Sequence, residues 1–184
     1  SSWYDHGPDI LRWFASEAGQ SFNLIFAPHV MLFRKELHVS PEYGIARRRP
    51  DIPDEALSAA NILIDTDSPR LFDMTYTLAA DAYLGDASSQ IYEFLARPRP
   101  AFFIDARRDV KAEDDEWHLF WECGPVVRSV DALTALLPEM EAIGANYRAR
   151  QEELFAYTID LGDRPASERA ADAILEAISS RADR

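Results

Sequence analysis

The stretch that decides the fold is Leu78–Phe103, LAADAYLGDASSQIYEFLARPRPAFF. Its apolar run Ala79–Leu84 stops at Gly85-Asp86, and two serines, Ser88 and Ser89, follow. Ile91, Phe94 and Leu95 then recur at helical spacing. Arg97-Pro98-Arg99-Pro100 breaks that helix, because proline lacks the backbone N–H and disfavours helix in the residue before it. A second apolar run begins at Ala101. The order is strand, turn, helix, strand: one βαβ unit with a polar turn at the carboxyl end of its first strand. In open α/β sheets that edge is where ligands bind. A helix opened by Ser88 and Ser89 offers unpaired N–H groups and hydroxyls to an anion, so the turn is expected to hold a phosphate.

Outward from this unit the same alternation continues. Residues 8 to 19 are predicted to form a first helix, with Pro8 in its first turn, an apolar stripe at Ile10, Leu11, Phe14 and Ala18, and Gly19 as its stop. Phe22–Ala27 reads as a buried strand ended by Pro28-His29. Residues 30 to 37 read as a short helix with Val30, Phe33 and Leu37 on one side. Residues 38 to 54, with their prolines and the run Arg47-Arg48-Arg49, read as a surface loop with a short helix after Pro53. Asn61–Asp65 is the second strand, and Ser68-Pro69 opens a helix whose apolar positions are Leu71, Met74 and Leu78. Ala80–Leu84 is the third strand, residues 88 to 96 the next helix, and Ala101–Ile104 the fourth strand.

Residues 105 to 116, including Glu113-Asp114-Asp115-Glu116, form an expected solvated loop, and Trp117–Trp121 a small helix or a lid. Gly124-Pro125 turns the chain into a last short strand, Val126-Val127. Val130, Leu133 and Leu136/Leu137 mark a helix, Pro138–Tyr157 a longer one, and Ala170, Ile174 and Ile178 a final amphipathic one within 158–184. The expected architecture is a single α/β domain over residues 1 to 184. It is Rossmann-like, with a mainly parallel sheet covered by helices on both faces.

Composition narrows the function. A net charge of −13 argues against nucleic-acid binding, which needs a basic face, though a local field can still favour a phosphate. Apolar content of 47% with 11% aromatics belongs to a folded chain, and no apolar run approaches the ~20 residues of a membrane span. The single cysteine, Cys123, rules out an internal disulfide framework and fits a reducing, cytoplasmic compartment. No signal peptide is visible. The chain opens Ser-Ser-Trp without Met and is expected to be part of a larger protein. Lysine is scarce beside arginine, which suits bidentate phosphate contacts but is equally a compositional bias.

With these segments in order, the sequence resembles the carboxyl-terminal half of the CDP-glycerol glycerophosphotransferases, teichoic-acid-type polymerases of the GT-B glycosyltransferase fold. The resemblance spans roughly residues 22 to 178. It is carried by Leu24-Ile-Phe-Ala-Pro-His29, Leu71-Phe-Asp73, Asp81-Ala-Tyr-Leu-Gly-Asp86-Ala-Ser88-Ser89-Gln-Ile-Tyr-Glu93-Phe94, Arg97-Pro98-Arg99-Pro100 with Ala101-Phe-Phe-Ile, Gly124-Pro125-Val-Val, and Ala166-Ser167-Glu-Arg169 with its helix. The chain departs from the family pattern at Ala27 (Lys), Val30 (Pro), Ala87 (aromatic) and Glu93 (Asp).

The resemblance implies a GT-B carboxyl-terminal domain that binds a nucleotide-activated donor, CDP-glycerol or a nucleotide sugar, without cofactor or metal. His29 is then the catalytic residue, Ser88, Ser89 and Gln90 hold the donor phosphates, and Glu93 holds a donor hydroxyl or the base. It also implies a missing amino-terminal domain as partner, with residues 1 to 20 as linker and first helix. It further implies peripheral association of the whole protein with the inner face of the membrane, in cell-envelope polysaccharide synthesis, and no activity from this chain alone. Asp5-His6-Gly7 is superficially like the His-Gly motif of the other domain but precedes the first helix.

Each residue also has a plainer reading. Ser88 and Ser89 could simply cap a helix. Asp86 fits a cap or turn better than a metal site, since a carboxylate repels diphosphate. His29 could be structural, or donate to a phosphate oxygen. Glu93 could be a solvated helix charge, and Arg47–Arg49 a solvated loop or an anion-binding one. Trp117, Phe120 and Trp121 could be core or an interdomain face. His118 and Cys123 lack the second pair that a metal site needs. Two other functions remain open at this point: a sugar-nucleotide epimerase of the same fold, and a non-enzymatic protein-interaction module.

Overall fold

The computed structural model describes residues 2–41, 44–86, 88–106 and 116–182. In chain order these form α1 (Trp3–Ala15), β1 (Leu24–Phe26), β2 (Leu37–Ser40), β3 (Ile45–Arg48), α2 (Asp54–Ser58), β4 (Ile62–Ile64), α3 (Thr75–Ala79), β5 (Tyr83–Gly85), α4 (Gln90–Phe94), β6 (Ala101–Ile104), β7 (Val126–Val127), α5 (Val130–Leu136), α6 (Met140–Thr158) and α7 (Ala166–Ala182). The protein is α/β with short parallel sheets. β1 pairs with β4, and β5-β6-β7 form a second parallel sheet with β6 in the centre. The strand-turn-helix-strand reading holds: β5, α4 and β6 are one parallel βαβ unit.

β6 is buried along its whole length, and its pleat sends successive side chains to opposite faces. Phe103 faces a cluster built by Ile91, Phe94 and Leu95 around α4, Leu154 of α6, and Phe120, Trp121 and Cys123. Phe102 faces Phe14 of α1 with Leu133 and Leu137, alongside Leu24, Ile62, Leu84 and Val127. Helices therefore cover both faces. A third cluster, Trp3, Leu11 and Ala56, seats α1 and α2 on β1 and β4. Arg99, between α4 and β6, ties the unit together. Its guanidinium donates to the carbonyls of Thr77 (3.1 Å), Ala80 and Phe94 (3.1 Å) and lies over the Phe94 ring. Gln151, fully buried, donates to the carbonyls of Arg99 (2.9 Å) and Cys123 (2.8 Å), stitching α6 to the segments on either side of β6.

Several expectations need correction. The first helix starts at Trp3, so Pro8 sits inside it. Proline at that position cannot donate to the Tyr4 carbonyl, and Arg47 Nη2 takes that place at 3.2 Å. Residues 30 to 37 are turns leading into β2, because Phe33 packs on Trp3 and Phe26 (5.5 and 5.9 Å between centroids) instead of on a helix face. The expected loop 38–54 contains the antiparallel hairpin β2–β3, in which Gly44 takes φ +61°; the short helix after Pro53 is α2. The helix after Ser68-Pro69 is split into a 3-10 turn, Pro69–Leu71, and α3 by Met74 at φ 66°, and Thr77 rather than Leu78 is buried. β5 begins at Tyr83 rather than Ala80, and α4 is shorter than the expected 88–96. Residues 116–123 form 3-10 turns, with Phe120 and Trp121 in the core. The acidic residues 113–115, Ala87, and the side chains of Glu116, Trp117 and His118 lie outside the described residues. α7 forms as expected, but Ile174 and Ile178 are exposed. Among the described residues no helix is long and apolar enough to cross a membrane.

Candidate functional site

Each parallel strand ends in polar residues. Pro28-His29 follow β1, Asp65 follows β4, Asp86 with Ser88 and Ser89 follow β5, Asp105 follows β6, and Arg128 follows β7. The start of α1 bridges two of these ends. The Ser2 amide donates to Asp86 Oδ2 at 2.6 Å, and the neighbouring Trp3 ring stacks on Phe26 at 4.8 Å. Through these two adjacent residues the carboxyl ends of β1 and β5, in separate sheets, come near each other.

On the β5–α4 turn, the amide of Gln90 donates to Ser88 Oγ at 3.3 Å, so Ser88 does cap the helix. The pKa of the nearby Tyr83 hydroxyl is pushed up to about 12 by burial first and by the Asp86 charge second, with the Ser88 hydroxyl acting the other way. The Tyr83 ring folds back over Gly85, where a side chain would collide with it. Ser89 makes no capping bond with its side chain. Ser89, Gln90 and Glu93 are exposed while Ile91, Phe94 and Leu95 are buried, so α4 presents these three polar side chains outward. α4 is only five residues long, which leaves the donors of the turn itself, rather than a long helix dipole, to meet an anion. The Trp121 indole fixes the turn from the other side, donating to the Asp86 carbonyl at 3.2 Å.

His29 is exposed, and its Nδ1 accepts from the Met31 amide at 3.2 Å. In the neutral ring this bond puts the proton on Nε2, which points a donor away from the backbone. The structure thus gathers Ser88, Ser89, Gln90 and Glu93 on the β5–α4 turn and the start of α4 and leaves His29 at the end of β1, in the other parallel sheet; among the described residues no hydrogen bond joins His29 to the others.

The sequence reading missed three polar anchors, two at the ends of parallel strands and one joining α1 to β3. Asp65 accepts from the Ser68 hydroxyl, the Tyr76 hydroxyl (2.5 Å), and the amides of Ser68 (2.9 Å) and Asp67 (3.2 Å). These bonds, the Ser68 hydroxyl first, hold its carboxyl well below the ordinary 3.8. An Asp followed three residues later by Ser at a strand end was the available signal. Asp105 is buried beside Arg128 at 3.4 Å. Arg47 pairs with both oxygens of Asp5 at 2.9 Å.

Cys123 is packed in the core and its thiol is pushed up to about 11 by burial, the opposite of an activated nucleophile. Two depressions of about 600 and 360 Å³ are lined by Ala15, Gln20, Glu55 and Asn61, and by His6, Asp9, Trp13 and Asp131, respectively. Neither is lined by the candidate residues. Comparison of the chain with family models, with curated proteins and with solved structures returned no match.

Proposed function

We propose that the chain is the donor-binding domain of a GT-B-type transferase that uses a nucleotide-activated donor, CDP-glycerol or a nucleotide sugar. The observation that supports this most is the β5–α4–β6 unit, whose turn sets Ser88, Ser89 and Gln90 at the carboxyl end of a parallel strand, while His29 follows the carboxyl end of β1 in the other parallel sheet. In this reading the donor diphosphate sits on the turn. Ser89, Gln90 and the turn amides donate to its oxygens, and His29 Nε2–H donates to a further phosphate oxygen. Glu93, one turn along the same exposed face, accepts from a donor hydroxyl.

The reaction is displacement. An acceptor hydroxyl oxygen forms the new bond to the transferred group as the bond to the leaving nucleotide breaks, and the electron pair departs with the nucleotide. Fixed donors on the phosphates stabilise the charge that develops there. The acceptor and the group that takes its proton belong to a second domain across the cleft. Calorimetric titration of this chain with CMP, CDP and UDP tests the proposal. Heat of binding that Ser89→Ala or His29→Ala weakens about tenfold, the loss of one charge-assisted hydrogen bond, is expected. No heat with any nucleotide, in folded protein, overturns it.

A further inference from the structure

We infer that Asp86 is a positioning residue of the donor turn: the amino end of α1 takes up its carboxylate, which leaves Ser88, Ser89 and Gln90 open to a diphosphate. The inference rests on the donor-binding reading above and names what keeps that site usable. A carboxylate two residues before a phosphate-binding turn is an electrostatic obstacle, because like charges a few ångströms apart repel strongly at a protein surface. The net charge of −13 adds to that obstacle, so the turn needs a local device that restrains Asp86.

That device comes from outside the βαβ unit. The Ser2 amide donates to Asp86 Oδ2 at 2.6 Å, a charge-assisted bond, and the positive end of the 13-residue α1 stands behind it. The Trp121 indole donates to the Asp86 carbonyl at 3.2 Å, and its ring is held in the core beside Phe120. Two elements remote in sequence thus fix the side chain and the backbone of one half-buried residue, while Ser89 and Gln90 stay exposed. The Asp86 charge is felt on the turn, since after burial it is the second cause that raises the Tyr83 hydroxyl. Ser2 also offers a clean way to break the contact. It sits at φ −60°, and its carbonyl accepts from the amides of Asp5 and His6. Proline fixes φ near −65° and lacks the N–H, so Ser2→Pro removes the bond to Asp86 and keeps the backbone path and carbonyl of α1.

The test is calorimetric titration of the wild type, of Ser2→Pro, and of Ser2→Pro combined with Asp86→Asn, with CMP and with CDP. Ser2→Pro frees the carboxylate and should weaken CDP about tenfold and CMP only about threefold, because repulsion grows with the charge of the ligand. High salt should narrow both gaps. Asp86→Asn in the Ser2→Pro background removes the freed charge and should recover most of the lost CDP affinity, a rescue that a merely structural contact does not give. If Ser2→Pro does not fold, Asp86→Glu, which keeps the charge and displaces it, should bind CDP about fivefold more weakly than Asp86→Asn, and equal affinities overturn the inference. Absence of heat from the wild type with either nucleotide overturns the donor-binding reading and this inference with it. Wild-type binding that Ser2→Pro leaves unchanged overturns the inference alone. So does a loss equal for CMP and CDP that Asp86→Asn fails to recover.

Discussion

The Asp86 carboxylate accepts a hydrogen bond from the Ser2 amide at 2.6 Å across 84 residues of chain. A carboxylate at the first turn of a helix meets unpaired N–H groups and the positive end of the dipole. The residue that ends the β5 turn is thus spent inside the protein, on α1, and orients the turn with Trp121. Asp86→Ala should cost about 1–2 kcal/mol in urea unfolding, and Asp86→Asn, which keeps an acceptor oxygen, should cost less. Unfolding of Asp86→Ala indistinguishable from the wild type would mean that the bond adds nothing in solution.

Arg47 and Pro8 make a second, separable prediction. Pro8 leaves the Tyr4 carbonyl without its intrahelical donor, and Arg47 fills the gap while also pairing with Asp5. The ion pair is half-exposed and contributes little; the carbonyl is the larger part. Arg47→Ala should destabilise by about 1 kcal/mol. In a Pro8→Ala background the restored N–H serves Tyr4, so the same Arg47→Ala change should cost visibly less. Strict additivity in this double-mutant cycle would refute the coupling.

This pair also marks what was legible in the sequence and what was not. Elements whose pattern is local were readable: the switch from strand to helix spacing across 83–95, the unbroken apolar run of β6, the Gly124-Pro125 turn before β7, and the periodic stripe of α5. Elements decided by distant partners were not. Pro8 looks like a helix start until Arg47, in another element, supplies the missing donor. Val30, Phe33 and Leu37 have helical spacing, but Phe33 is claimed by Trp3 and Phe26 and Leu37 by a strand. The residue types of the candidate site were readable from the turn. Their bonds were not: the Nδ1 bond that orients His29 and the Asp86–Ser2 contact depend on the fold.

Cys123 gives a test of the core. Its thiol is enclosed with Phe120, Trp121 and Leu154, and burial raises its pKa to about 11. Only the thiolate reacts quickly. A thiol reagent at mildly alkaline pH should leave the native chain unmodified over the time in which urea-unfolded chain reacts with one thiol per chain. Prompt labelling of the native protein would show that the cluster on that face of β6 opens readily.

Asp65 sets the acid limit of the loop that follows β4. Its pKa is lowered in the folded chain by the Ser68 hydroxyl first, then by the Tyr76 hydroxyl and the amides of Ser68 and Asp67. A depressed carboxyl stabilises the folded state wherever it is ionised in both states, above the unfolded value of about 3.9. That contribution is lost as pH falls below this value toward the lower folded one. Tyr76 responds at the other extreme. Its pKa is raised, chiefly by the bond to Asp65, so its contribution is complete below about 10 and is lost as pH rises above that. The urea midpoint of the wild type should therefore decline on acidification below about pH 4 more steeply than that of Asp65→Asn. Tyr76→Phe should flatten the acid limb in part and remove the Tyr76 share of the alkaline one. Superimposable acid limbs for wild type and Asp65→Asn would show that the hydroxyls do not hold this carboxylate in solution.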